Sequence, residues 1–256
     1  MLALMRIGLI GAGNMAAALA RGFAEPVLVS DPDASRAQAL AAEVGGEALP
    51  SNAEVAERAD LIVLCHKPAQ LEEVAGEIAS HSRAVASILW GVRIEALEDA
   101  YPDAAVYRFM PNIPVEVGRG VLGYVPGRLA ASGPERDVLD LFERLGTVIA
   151  LDEAVVDVAG ALYSCGPAFF ALVAEALVEA TTRRGLDQTA ARRMAVETMA
   201  GTAAVLSERG DDTLALRRRV ASPGGVTEKG LDALERGGVR DAFDDAIGIV
   251  VGQGAP

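Results

Sequence analysis

The chain has 256 residues, 51 % of them apolar and 23 % charged, enough to bury one large core or two ordinary ones and too apolar for wholesale disorder. A net charge of −13 argues against a nucleic-acid partner, whose phosphates would be repelled. Cys65 and Cys165 form no C-x-x-C or Cys/His cluster, so neither a disulfide framework nor a metal site is expected, and both read as buried free thiols.

Residues 1–4 read as a short extension and carry no cleavage signal. Ile7-Gly8-Leu9-Ile10 is then a short buried strand, Gly11-Ala12-Gly13 a turn, and Asn14-Met15-Ala16 the start of an Ala-rich helix. This is G-x-G-x-x-A between a strand and a helix, the context that dinucleotide binding requires. Gly11 permits the tight turn, the bare Gly13 lets a pyrophosphate approach the backbone, and Ala16 lets the helix lie close on the strand. The N–H groups at the helix start offer partial positive charge to the phosphates.

Val27-Leu28-Val29 is the second strand and ends at Ser30-Asp31-Pro32, with Asp31 twenty residues past Gly11. An acidic side chain there accepts from the adenosine ribose and repels a 2′-phosphate, which favours NADH. Arg36 is near enough to meet a phosphate instead, and the turn at Pro32 could aim the carboxylate away, so the sequence leaves NADH against NADPH open. Residues 35–44 read as a helix stopped by Gly45-Gly46, and Ser51 followed by Glu54 opens the next one. Residues 60–65 are almost continuously apolar, as parallel strands buried on both faces are. A helix over 71–80 and a strand over 84–89 continue the alternation. Such a pattern predicts a doubly wound parallel sheet with right-handed crossovers. Ligands bind beyond the C-terminal strand ends, where Ser30-Asp31, Cys65-His66-Lys67-Pro68 and Leu89-Trp90-Gly91 fall. Trp90 reads equally as pocket wall or packing, and His66 as a bystander at a strand end.

The segment VYRFMPNIPVEVGRG, residues 106–120, reads as a strand and then an irregular loop, because Pro111 and Pro114 bracket Asn112-Ile113 and forbid helix there. A strand over 121–125, a helix over 135–145 and a short strand over 147–151 follow. From about residue 154 strand patterns vanish, and helices are expected over 155–162, 168–184, 188–209, 213–219, 226–235 and 240–251. Residues 169–174 and much of 194–206 are apolar all round, and such helices must be buried on every side. They are expected to pack against another subunit. No uninterrupted apolar run reaches about 18 residues, so no membrane span is expected and the cytoplasm is the expected location. The loop Ser222-Pro223-Gly224-Gly225-Val226-Thr227, preceded by Arg217-Arg218-Arg219, gathers backbone N–H groups and two hydroxyls. That arrangement suits a carboxylate, although the same residues would also make a capped turn between helices.

IGLIGAGNM, RFMPNIPVEVGRG, GPAFF followed by EALVEA, and VASPGGVTEKGLDALE together resemble the pyrroline-5-carboxylate reductase family over nearly the whole chain. The resemblance implies an α/β Rossmann-type doubly wound sheet over 1–152 followed by an all-α dimerisation and substrate domain over 153–256, with a site shared between subunits in a homodimer or larger assembly. It implies NAD(P)H passing hydride to the C=N carbon of a cyclic imine carboxylate, turning 1-pyrroline-5-carboxylate into L-proline. By position, Gly11, Gly13, Asn14 and Met15 would meet the pyrophosphate and Asn52 the adenosine ribose. Lys67 and Pro68 would line the cofactor cleft, and Met110 and Asn112 would lie near the nicotinamide. Ser222, Gly225, Val226 and Thr227 would hold the substrate carboxylate, with Thr227 the proton donor to the imine nitrogen. The family's small residues give way to bulk at Tyr163, Cys165 and Trp90, which leaves a different imine open as substrate. A 3-hydroxyacid-type dehydrogenase on the same fold would need a lysine on the 168–184 helix, which has none; Lys67 and Lys229 are the only two lysines, and Lys229 reads as a surface charge. A non-catalytic dinucleotide-binding protein is the rival of another class.

Overall fold

The computed structural model describes residues 5–210 and 212–253. The extension expected at residues 1–4 lies outside them. The chain divides into two compact units, one running to Pro167 and taking in the chain from Val251, the other Ala168–Val250.

The first unit is built on an eight-stranded sheet of order β3-β2-β1-β4-β5-β6-β7-β8. Its strands are β1 (Ile7–Ile10), β2 (Val27–Ser30), β3 (Glu47–Ala48), β4 (Leu61–Leu64), β5 (Ala84–Ser87), β6 (Ala105–Met110), β7 (Gly120–Pro126) and β8 (Gly146–Ala150). Connecting them are α1 (Asn14–Phe23), α2 (Ala34–Val44), α3 (Asn52–Arg58), α4 (Leu71–Ile78), α5 (Ile94–Ala100) and α6 (Glu135–Glu143), with α7 (Val156–Tyr163) after the last strand. β1, β4, β5 and β6 are buried along their whole length, which is why their sequences are apolar without alternation. β1 lies between β2 and β4, with Ile10 level with Ser30 on one side and Leu64 on the other. The strand order therefore reverses at β1, and a crevice opens at the C-terminal ends of β1 and β4.

Local sequence sets the joints. Ser51 Oγ accepts from the Glu54 N–H at 3.2 Å and caps α3. Asp33 accepts from the Ser35 N–H at 3.0 Å and caps α2, and Gly45, with φ of 68°, ends that helix in the left-handed region. Phe142 on α6 stacks on Phe109 of β6 at 3.8 Å and meets Phe23 of α1 edge-on at 5.5 Å, so three of the few aromatics tie the sheet to two helices.

The sheet is doubly wound and parallel, as the sequence predicts, except at one pair. β7 runs antiparallel to β6, with Phe109 opposite Tyr124, and β8 is parallel to β7. The reason is the connection: only residues 111–119 join β6 to β7, too few for the crossover that a parallel return needs. Within it a 3₁₀ turn over Ile113–Val117 forms where no helix was expected, with Pro114 in its first turn and Gly118 ending it at φ of 66°. The short elements β3 and α5 were not expected either; α5 buries only Ile94 and Leu97, too few positions to show a period.

The second unit holds most of α8 (Gly166–Thr182), then α9 (Gln188–Arg209), α10 (Thr213–Val220), α11 (Val226–Arg236) and most of α12 (Val239–Gln253). Asp187 and Asp212 cap α9 and α10 through the Ala190 and Ala215 N–H groups. Unlike the sheet, these helices leave apolar faces open. Phe170, Val173, Leu177, Met194 and Leu206 line a groove of about 720 Å³. The helical run Glu153–Thr182 is long and apolar enough, by length and composition alone, to cross a membrane, which the sequence reading did not anticipate because Gly, Ser and Asp interrupt its apolar residues.

Candidate active site

At the ends of β1, β2 and β4 lies a cavity of about 360 Å³ whose lining includes Gly11, Gly13, Asp31, Asn52, His66 and Lys67. Gly11 has φ of 107°, and any side chain there would sit 2.9 Å from the backbone of Cys65, so the turn requires glycine to press against the end of β4. Gly13 is different. It is the N-cap of α1, offers no side-chain cap, and a methyl group added to it would point into open space. The first N–H groups of α1 thus face a gap that a phosphate can enter.

Asp31 does not turn away at Pro32. Its Oδ2 accepts from the Ala12 N–H at 2.7 Å and its Oδ1 from the Asp33 N–H at 2.8 Å, which fixes the carboxylate against the glycine turn. Asn52 is held on both sides: Ser30 Oγ donates to its Oδ1, and its Nδ2 donates to Glu77, each at 2.6 Å. Lys67 is exposed, with its N–H on Gln70 Oε1 at 3.2 Å, and Pro68 opens a 3₁₀ turn. His66 Nδ1 lies 2.9 Å from the Lys67 carbonyl, and burial pushes the ring's pKa down, so it is neutral and donates there. Both cysteines are free and partly buried, and burial pushes the Cys65 thiol up. Asn14 is exposed and Met15 half-buried, both in the first turn of α1.

Met110 and Asn112 are buried at the end of β6 and do not line this cavity. The Asn112 amide is engaged at both ends, donating to the Tyr163 carbonyl and accepting from the Val121 N–H, each at 2.9 Å. Ser164 Oγ donates to the Pro111 carbonyl at 3.2 Å. Residues 110–112 are therefore fastened to the end of α7.

The loop before α11 lies in the second unit. Gly225 is the N-cap of α11 and, like Gly13, supplies no side-chain cap. Ser222, Val226 and Thr227 are exposed. Thr227 lines a cavity of about 740 Å³ with Arg217, Arg219 and Leu231 among its neighbours. The Gly224 N–H donates to Glu228 Oε2 at 2.6 Å, so a carboxylate of the chain itself rests on the loop expected to bind one. Lys229 is exposed.

A family model described as pyrroline-5-carboxylate reductase dimerisation matches residues 153–252, and one described as NADP oxidoreductase, coenzyme F420-dependent, matches 6–91. The pyrroline-5-carboxylate reductase of Synechocystis sp. is 31 % identical over 95 % of this chain and 94 % of its own length. Pyrroline-5-carboxylate reductase 3 of Macaca fascicularis is 34 % identical over 94 % and 92 %. The chain belongs to the pyrroline-5-carboxylate reductase family. It is an oxidoreductase of the class that acts on a C=N bond with NAD(P)H. Its fold agrees throughout: the crystal structure of the Plasmodium falciparum pyrroline carboxylate reductase with NADP bound superposes with a TM-score of 0.89, at 26 % identity, over 98 % of this chain and 97 % of that one. The membrane-length run Glu153–Thr182 falls inside the dimerisation match.

Against the pyrroline-5-carboxylate reductase pattern, the bulky departures turn out to be packed into the first unit. The Tyr163 hydroxyl accepts from the Gly123 N–H at 3.1 Å, and burial pushes its pKa up to about 12, so it remains protonated. Trp90 lies close enough to α7 that a side chain at Gly160 would meet its ring carbons at 2.8 and 3.0 Å. Each large residue thus rests on a glycine. Sequence reasoning missed the buried Arg108, whose Nη1 meets Glu153 Oε1 at 2.5 Å and whose Nη2 lies 3.6 Å from Asp157. Glu153 also accepts from the Ile94 N–H at 3.2 Å. Arg108 and Glu153 lie 45 residues apart in sequence, so only their residue types were visible.

Proposed function

We propose that this chain reduces 1-pyrroline-5-carboxylate to L-proline, with residues 1–152 binding NAD(P)H and residues 153–256 holding the substrate and joining two copies into at least a dimer. The observation that carries the reading is a pair of glycine N-caps without side-chain caps: Gly13 opens α1 and Gly225 opens α11. Each leaves helix N–H groups for an anion. The first suits a pyrophosphate and the second a substrate carboxylate.

In this reading Gly11, Gly13, Asn14 and Met15 cradle the pyrophosphate. Asp31 and Asn52 bind the adenosine ribose, and Lys67 and Pro68 line the cleft. Met110 and Asn112 back the nicotinamide, held by Tyr163 and Ser164. When bound, the reduced nicotinamide supplies hydride to the C=N carbon. Ser222, Gly225 and the N–H groups of Val226 and Thr227 hold the carboxylate and so fix which ring carbon is presented. The Thr227 hydroxyl relays a proton to the imine nitrogen as that nitrogen gains electron density, and is itself reprotonated from solvent. A neutral hydroxyl needs no shifted pKa for this, and neither the neutral His66 nor the protonated Tyr163 is asked to ionise. Ser222, Val226 and Thr227 are open to water in the single chain. Exclusion of water from the reacting bond therefore falls to a second copy, which supports a site shared between subunits.

The test is turnover of NADH and NADPH with 1-pyrroline-5-carboxylate, in the native sequence and in Thr227→Ala. Loss of the proton donor should lower kcat by about 10²–10⁴ while cofactor affinity holds. Unchanged turnover would remove Thr227 from the proton path, and tight cofactor binding with no turnover of this or any other imine would favour a non-catalytic role.

A further inference from the structure

We infer that the ribose end of the cleft is built to accept NADH and reject NADPH, with Asp31 as the discriminating residue and Glu77 as its support. The inference rests on the reading above, that the cleft binds a nicotinamide dinucleotide.

The argument begins with lone pairs. An ionised carboxylate presents about four acceptor sites. On Asp31 two are taken, one on each oxygen, by the Ala12 and Asp33 N–H groups. One site per oxygen is left, and the pair matches a vicinal diol, whose two hydroxyls can each donate. A 2′-phosphate replaces one of those donors with acceptor oxygens and roughly −1.5 to −2 of charge. It has nothing to give Asp31, and the carboxylate cannot swing aside without releasing the glycine turn.

The charges around the cleft point the same way. Its lining carries the carboxylates of Asp31, Glu73 and Glu77 and the cations Arg36 and Lys67. Arg36 is the residue that could have met a phosphate, but its Nε lies 3.5 Å from Asp33, which partly neutralises it. Lys67 sits at the end of β4, and Glu77 is carried on α4. Glu77 accepts from Asn52 Nδ2, and that bond fixes the Asn52 amide in the cleft lining and sets a negative charge beside it. A neutral diol loses nothing to this field, whereas a phosphate dianion is opposed by it.

Calorimetric titration tests this without turnover. The ligands are NADH and NADPH, and then ADP-ribose and its 2′-phosphate, which differ in that group alone. Binding of the 2′-phosphorylated member of each pair should be weaker by about tenfold or more. Asp31→Asn keeps an acceptor for the Ala12 N–H and removes the charge, and should close most of that gap. Glu77→Gln keeps an acceptor for Asn52 and should close it by about twofold. Equal or tighter binding of the phosphorylated ligands by the native sequence overturns the inference and leaves the proposed function standing. Binding of none of the four ligands overturns both. A gap that neither substitution narrows removes Asp31 and Glu77 as its cause.

Discussion

Leu9, Val29, Leu61 and Val63 in the sheet unit have no exposed surface, whereas Phe170, Leu172 and Met194 in the helical unit leave 61, 63 and 57 % of theirs in water. The side chains compared are all large and apolar, so residue type does not separate them. The sheet closes its core with helices supplied by its own βα units. In the helical unit these side chains stay open among the described residues, and each one forgoes about 1.5–3 kcal/mol of burial. The first unit thus buries its own core, while the apolar faces left open lie in the stretch that matches the dimerisation family model. The placement of Ser222 and Thr227 on the second kind of unit ties the proposed chemistry to assembly.

The sharpest way to break that contrast is to charge the open face. Leu172→Glu combined with Met194→Glu should raise the dissociation constant of the assembly by about a thousandfold, since several kcal/mol of like-charge and desolvation cost falls at one contact. Sedimentation velocity would show monomers, imine reduction would be lost, and NADH affinity measured by nucleotide fluorescence should hold. A native protein that already sediments as a monomer at micromolar concentration would end the argument that these faces are covered.

The complementary substitution acts in the sheet unit. Arg108 is 2 % exposed, and removing its guanidinium leaves the largely buried Glu153 carboxylate without its charged partner and with only the Ile94 N–H. Arg108→Leu should cost about 3–5 kcal/mol in a urea melt, yet leave the apolar faces of α8 and α9 untouched. A loss below about 1 kcal/mol would mean that water reaches Glu153 and that α7 is held by Tyr163 and Trp90 alone.

Legibility in the sequence follows the same division. The first turn could be read because Gly11, Gly13 and Ala16 each answer a local steric demand, and such demands leave a mark in adjacent residues. Asp31 was legible as a candidate ribose ligand but not as the anchor of the glycine turn, because its bond to Ala12 spans 19 residues. The reversal at β7 was hidden, since a nine-residue connection carries no direction until the 3₁₀ turn within it is known. The packing of Tyr163 on Gly123 and of Trp90 on Gly160 was hidden, because the two glycines are ordinary residues in sequence and become informative only in contact. The loop before α11 could be read from its residues as a candidate anion site, but not the fact that Glu228 rests on Gly224.

The smallest expected effect concerns His66, in the wall of the cofactor cavity. Burial lowers its folded-state pKa below the ordinary value of 6.5. The neutral ring is therefore the form the fold accepts. Above pH 6.5 both folded and unfolded chains are neutral at this position, and its contribution is fully present. As pH falls through 6.5 toward the lower folded value, the unfolded chain takes up a proton first, and stability is lost. One proton bounds the slope at about 1.4 kcal/mol per pH unit, and solvent around the partly exposed ring reduces it further. Thermal melts between pH 7.5 and pH 5.5 should fall less steeply in His66→Gln, which keeps a donor for the Lys67 carbonyl, than in the native sequence. The helical faces carry no such group, so the charged-face double variant should keep the native slope. Identical slopes for the native sequence and His66→Gln would show that the ring gains a proton as easily in the cleft as in the unfolded chain.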